Sequence, residues 1–180
     1  FYTPNLVIEA IYGGLENLGF DNGNILEPSC GTGNFIGNIP DKFKGSKFYG
    51  VELDSLSGNI AKKLYPEADI SIKGFEEYGI SNNSFDIAIG NVPFGDFKVA
   101  DREYDKNNFL IHDYFFAKTI DKVKTGGVIA FITSSGTMDK KDESIRRYIG
   151  ERCELLGAVR LPNNTFKGVA GTEVTSDIIF

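Results

Sequence analysis

Apolar residues recur along the chain in two rhythms. Val7, Ile11, Leu15 and Leu18 step at helical spacing behind Thr3-Pro4, a pair that reads as an N-cap and a proline at the first helical position. A helix over residues 4–18 is expected, weakened by Gly13-Gly14. After the turn signal Asp21-Asn22-Gly23-Asn24, Ile25-Leu26-Glu27 reads as a short buried strand and runs straight into the glycine-rich stretch Pro28 to Phe35. Phe48-Tyr49-Gly50-Val51, ending in Glu52-Leu53-Asp54, is a second strand. Leu56, Ile60 and Leu64 then step every four residues along a helix that Pro66 stops. Further strands are expected at 68–73, at 85–89, at 128–132 after a Gly126-Gly127 turn, near 154–160 and near 173–180. Helices fall between them, one with Phe109, Phe116, Ile120 and Val123 on one face and one near 142–150.

Seven strands alternating with helices, and reading as continuous apolar runs, predict an α/β fold: a doubly wound, mostly parallel sheet with helices on both faces. The polar segment 95–108 is the one long loop, and it follows the fourth strand directly. Open α/β sheets bind ligands outside the carboxyl ends of their strands, so this loop is a candidate lid or substrate loop. No internal repeat, low-complexity tract or linker divides residues 1–180. They read as a single domain, and the start at Phe1 and the stop at Phe180 inside an apolar run read as a piece of a longer polypeptide.

Composition narrows the class. The 19 Lys and Arg against 25 Asp and Glu leave a formal charge of −6, which argues against a self-sufficient nucleic-acid binder because phosphate affinity comes from clustered basic residues. Apolar runs fall far short of the roughly 18–20 residues that span a bilayer, and no secretory leader opens the chain, so no membrane association and a cytoplasmic location are expected. Cys30 and Cys153 lie far apart without a CxxC or a histidine cluster, which offers neither a disulfide framework nor a metal site.

The chemistry begins in the loop after the first strand. Gly31 and Gly33 form a Gly-x-Gly turn between strand and helix, where backbone can approach a ligand and helix amides can point at it. Glu52, at the end of the second strand, can accept hydrogen bonds from ribose hydroxyls, so a nucleoside-containing ligand is expected. The next glycine, Gly37, is one position too far for the dinucleotide fingerprint, and no phosphate-binding GxxxxGK[ST] exists. Glu27, just before the turn, would repel a pyrophosphate but suits a ligand carrying an ammonium and a sulfonium. Its alternative use is to brace the loop.

Glu27-Pro28-Ser29-Cys30-Gly31-Thr32-Gly33, Glu52-Leu53-Asp54 and Asn91-Val92-Pro93-Phe94 directly after a strand resemble class I S-adenosylmethionine-dependent methyltransferases. The Asn91 tetrapeptide is similar to the [Asn/Asp]-Pro-Pro-aromatic signature of adenine-N6 DNA methyltransferases, and Phe1-Tyr2-Thr3-Pro4 to the N-terminal cofactor motif of their gamma arrangement. The methylase segments of large methylase-helicase proteins share this look.

The resemblance implies a Rossmann-like methyltransferase fold, S-adenosylmethionine as cofactor, no metal, and DNA as partner, held mainly by a recognition domain C-terminal to this one. It assigns Asn91, Val92, Pro93 and Phe94 to catalysis. Thr3, Glu27, Ser29, Gly31, Gly33, Glu52, Leu53, Phe75 and Asn91 would bind cofactor, with Thr3 near the methionine end and Leu53 and Phe75 on the two faces of the adenine. Gly74 stands where the family often has an acidic residue for the adenine amine, which leaves Glu76 or backbone to serve. Val92 replaces the commoner proline and leaves the backbone looser there.

Some residues are read without a role. Tyr114, Phe115 and Phe116 are an aromatic stripe read as core, and Cys30 packs under the turn. His112 has no partner in sight. Lys140 to Glu143 and Arg146-Arg147 read as solvated. Other readings of the same device are methylation of RNA bases or of a protein glutamine, and a non-catalytic module that binds cofactor or DNA in a larger protein.

Overall fold

The computed structural model describes residues 2–167 and 174–180. Strands β1 (Asn24–Glu27), β2 (Lys47–Glu52), β3 (Asp69–Ile72), β4 (Phe85–Asn91), β5 (Val123–Ser134), β6 (Ala158–Leu161) and β7 (Ser176–Ile179) form one sheet in the order β3-β2-β1-β4-β5-β7-β6. The five strands from β3 to β5 are parallel, and β7 runs antiparallel to both β5 and β6. Helices α1 (Asn5–Asn17), α2 (Asn34–Gly37), α3 (Ser55–Leu64), α4 (Ile111–Lys122), α5 (Gly136–Asp139) and α6 (Ser144–Gly150) complete the fold. This is the doubly wound α/β architecture expected from the alternation of elements.

Burial on both faces explains why the strands are apolar throughout. Ile25, Ile87 and Ile89 face one core layer with Ile8, Ile11 and Leu15 of α1 and Ala61 of α3. Leu26, Ala88 and Phe131 face the other with Phe115 and Phe116 of α4 and Ile145 of α6. Successive strand residues point to opposite faces, so each strand feeds both layers. The connection from β1 leads outward to β2, whereas β4 lies on the other side of β1. Between β1 and β4 the winding reverses, and the carboxyl ends of these two strands flank the crevice where such sheets hold ligands.

Several sequence expectations are corrected. The N-cap of α1 is Pro4, whose carbonyl accepts from the Val7 and Ile8 amides, and the Thr3 side chain makes no cap bond. Leu18 falls outside α1 and is exposed. The apolar stripe of α3 faces outward: Leu56 is 70% and Leu64 59% exposed, while Gly58 and Ala61 form the buried side. The helix lies so close to the sheet that a β-carbon at Gly58 would sit 2.8 Å from Ile72, which admits only small residues on the inner face.

The expected turn at Gly126-Gly127 lies inside β5, which starts at Val123 and absorbs the extra residues in a register shift opposite Phe85–Ile87. Phe109 and Val123 consequently flank α4 rather than belong to it. The start of the last expected strand, residue 173, lies outside the described residues.

Lys140 and Arg146 are half-buried rather than fully solvated. Lys140 Nζ pairs with Asp113, which is fully buried, and Arg146 donates to the carbonyls of Thr137 (3.3 Å) and Lys140 (2.9 Å). Arg147 is exposed and pairs with Glu143. Among the described residues, no helix is long and apolar enough to cross a membrane.

Candidate active site

β1 ends at Glu27 and β4 at Asn91, so the topology alone brings a buried carboxyl and a carboxamide to the crevice. A cleft of about 240 Å³ opens there, and Thr3, Glu27, Ser29, Gly31, Thr32 and Asn91 contribute to its walls. Two larger surface hollows exist, one against α6 and one within the 98–109 loop, but none of their lining residues belongs to a strand, whereas this topology places chemistry at the strand ends.

The turn after β1 is held in place by its own residues. Cys30 N donates to Val51 O at 2.9 Å, and Gly31 N donates to Glu52 Oε2 at 2.7 Å. Glu52 Oε1 accepts from Asp54 N at 2.8 Å, so the carboxylate is fixed in orientation while each oxygen keeps a lone pair for a further donor. Gly31 and Gly33 have φ of +56° and +93°, the left-handed region that side chains resist. At Gly33 a β-carbon would also sit 2.5 Å from the Tyr65 ring. Gly33→Ala is therefore expected to destabilise the protein by about 2 kcal/mol or more in a denaturant titration, and an unchanged midpoint would contradict this geometry. Tyr65 also accounts for Gly37, where any side chain would collide with the phenol oxygen. The late third glycine serves helix packing.

Glu27 is 2% exposed, and its Oε2 has no hydrogen-bond partner. Burial first, and then the nearby Glu52 carboxylate, push its pKa well above the ordinary carboxyl range. Cys30 is buried beneath the turn, and burial, reinforced by Glu27 and Glu52, pushes its thiol up and away from the thiolate a nucleophile needs.

Across the cleft, Asn91 Nδ2 donates to Thr3 Oγ1 at 3.3 Å, and Ser29 Oγ donates to the Asn91 carbonyl at 3.0 Å. With its amide nitrogen so engaged, Asn91 turns Oδ1 into a buried position without a partner. Thr3 thus orients the carboxamide rather than starting α1. Val92 is not loosened: its amide donates to Ile132 O at 3.1 Å and continues the β4–β5 pairing by one residue, a bond proline could not make. Pro93 and Phe94 follow, both half-buried.

The structure gathers Thr3, Glu27, Ser29, Gly31 and Asn91 around one cleft, with Glu52 and Gly33 supporting its turn. Leu53, 75% exposed at the end of β2, and Phe75, buried against Tyr78, Tyr114 and Phe115, lie outside that lining. Tyr114, Phe115 and Phe116 belong to the core, as their spacing indicated. His112 is buried with Nδ1 unpartnered, and burial first holds its pKa below the usual value. Ser57, from the first turn of α3, and Asn34, at the start of α2, also line the cleft. Position after a strand was the only sequence signal for them. No group of three or more His, Cys, Asp or Glu among the described residues could hold a metal ion.

A doubly wound sheet with a glycine turn after β1, an acidic end to β2 and an Asn-x-Pro-Phe end to β4 defines the Rossmann-like methyltransferase class of α/β proteins. Within that class, the chain matches the N-6 DNA Methylase family model over residues 1–180 and belongs to that family. It is 34% identical over 185 residues to "Defense against restriction protein B" of Escherichia phage P1, covering 99% of this chain but 8% of that protein. It is 31% identical over 140 residues to "Modification methylase CviBIII" of Paramecium bursaria Chlorella virus NC1A, covering 75% of this chain and 37% of that one. The chain thus spans well under half the length of these relatives. A geranyl diphosphate methyltransferase solved in complex with SAM superposes with a TM-score of 0.66 at 9% identity, over 97% of this chain and 83% of that one. That likeness is one of fold.

Proposed function

We propose that this chain is the cofactor-binding and catalytic part of an S-adenosylmethionine-dependent DNA methyltransferase acting on adenine N6. One observation carries the reading: two buried, unpartnered oxygens, Glu27 Oε2 and Asn91 Oδ1, belong to residues lining the same cleft, beside the Gly31 turn. A buried polar atom without a partner costs about 1–3 kcal/mol, so such a pair in a cleft is best explained by ligand groups that satisfy it.

The donor set fits the cofactor. Glu27 is the carboxyl able to take an ammonium group, and Glu52 keeps lone pairs for ribose hydroxyls. The Gly31 turn and Ser29 let backbone approach between them. When bound, the cofactor supplies an electrophilic methyl carbon. The chain's own residues do the rest. The adenine N6 lone pair is delocalised into the ring, so Asn91 Oδ1 and the Val92 carbonyl accept the two amino hydrogens and favour a pyramidal nitrogen. The same acceptors stabilise the positive charge that grows on N6, a preorganised electrostatic effect. Phe94 offers its ring to a base turned out of the helix, a stacking contact worth about 1–3 kcal/mol. No side chain is required as a general base.

Titration calorimetry should show S-adenosylmethionine binding to the protein more tightly than NAD, and label from the methyl group should appear at N6 of adenine in DNA. Preferential NAD binding would overturn the cofactor reading. Label on RNA or on a protein glutamine would overturn the substrate reading alone.

A further inference from the structure

One buried ion pair lies outside the cleft and joins three segments that the methyltransferase reading places around the reaction. Lys118, on the inner side of α4, is 5% exposed. Its ammonium donates to Asp101 Oδ2 at 2.8 Å and to the Glu76 carbonyl at 3.1 Å, and it lies 5.4 Å from the centre of the Phe75 ring. Tyr114 Oη donates to the same Asp101 oxygen at 2.8 Å, and its ring packs edge-on against Phe75.

Asp101 is the knot of the 95–108 loop. Its carbonyl accepts from the Tyr104 and Asp105 amides at 2.9 and 2.8 Å, its Oδ1 accepts from Glu103 N at 3.2 Å, and its own amide donates to Asp105 Oδ1 at 2.8 Å. Wherever Asp101 goes, residues 101–105 go with it. The loop leaves the Asn91–Phe94 segment directly, exposes Phe97 and Lys98, and is tied to the start of α4 through Ile111 N donating to Phe97 O at 2.9 Å. Phe75 and Glu76 open the short turn after β3, just beyond Lys73, whose amide is bonded to the Glu52 carbonyl at 2.9 Å. The ammonium therefore bridges the segment beside Glu52 and the segment beyond Phe94.

We propose that Lys118 is a positioning residue that couples filling of the cofactor site, whose adenine end the family resemblance assigns to the Phe75–Glu76 turn next to the cleft, to the ordering of the substrate-side loop 95–108 through Asp101. The proposal rests on the methyltransferase reading. Burying both charges costs desolvation that a well-packed apolar pair would avoid, so stability is a poor reason for the arrangement, and a role in fixing relative position accounts for it better. Coupling of this kind is reciprocal: a loop held by substrate must also favour the cofactor-filled turn.

The test is hydrogen–deuterium exchange of the 95–108 amides, with and without saturating S-adenosylmethionine, alongside calorimetry on the same proteins. In the native protein the cofactor should slow exchange in 98–106 by about tenfold, a usual size for coupling between sites. Lys118→Met should still bind cofactor but lose that slowing. Asp101→Asn leaves the Lys118 bond to Glu76 in place, so it should bind cofactor within about twofold of native yet also lose the slowing. The double variant Lys118→Met/Asp101→Leu, with no buried charge left unpaired, supplies the same readout if either single variant folds poorly. A purely structural pair would lower the melting temperature and leave the cofactor-linked difference intact. Slowing that persists in these variants, or is absent from a native protein that binds cofactor, overturns the coupling alone. A native protein that fails to bind the cofactor overturns the methyltransferase reading and the coupling with it.

Discussion

Asn91→Ala should lower the rate of methyl transfer by about 10²–10³-fold, the usual loss when one preorganised acceptor or donor at the reacting centre is removed. The fold should survive, because the side chain contributes one long bond, Nδ2 to Thr3 Oγ1 at 3.3 Å, and ends in an oxygen without a partner. The backbone role of the residue is independent of its side chain: its carbonyl accepts from Ser29 Oγ, and β4 pairs with β5 through Asn91 opposite Ile132. Cofactor binding measured by calorimetry should therefore remain detectable. Asn91→Asp keeps an acceptor in place but loses the donor to Thr3, and it should retain more activity than the alanine variant. Single-turnover kinetics separate these outcomes from changes in DNA binding. An alanine variant within threefold of native would remove Asn91 from the reaction.

Asn91 is singled out in the sequence by its resemblance to the family signature, and the fold gives a physical reason for its place. Glu27, Gly31, Glu52 and Asn91 stand at the ends of short apolar runs, and a parallel sheet puts all such ends on one edge. Local signals mark those ends, and the topology brings them to one crevice. What stayed hidden depends on partners far away in sequence. Lys140 looks like surface until Asp113, 27 residues earlier, is placed beside it. Lys118 is a charge inside an aromatic stripe, and only the fold shows that Asp101 and Glu76 reach it.

The outward stripe of α3 failed for a different reason. Periodicity shows that Leu56, Ile60 and Leu64 share a face, but which face is buried depends on how closely the helix approaches the sheet, and Gly58 against Ile72 decides that. A threonine before a proline reads as a cap, and the family resemblance also puts Thr3 near the cofactor, but its bond to Asn91 depends on a contact across 88 residues.

Glu27→Gln should weaken S-adenosylmethionine binding by about tenfold to a hundredfold, the worth of one charge-assisted hydrogen bond, while making the free protein more stable at neutral pH. The two effects share a cause. Burial first, then the Glu52 carboxylate, raise the pKa of Glu27 in the folded protein, so folding favours the neutral carboxyl more than the unfolded chain does. A carboxyl whose folded pKa is raised contributes stability that is fully present below its ordinary unfolded pKa and is lost as pH rises through the folded value. Glutamine carries no such dependence. The variant's advantage in melting temperature should accordingly be largest above the raised pKa and disappear in acid.

Ligand binding has the opposite sign, because an ammonium beside the carboxyl favours its ionised form. Cofactor binding must then drive a proton from Glu27, and affinity must rise with pH until the free protein's carboxyl is already ionised. Calorimetry in two buffers of different ionisation heat should detect that release in the native protein and none from this position in Glu27→Gln. The ligand's own titrations are common to both proteins and cancel in the comparison. Equal affinity and equal proton release in the two proteins would return Glu27 to the role of a brace for the glycine turn. A weaker binder that is also the more stable protein would show that the buried, unpaired carboxyl is kept at a cost in stability for the ligand it awaits.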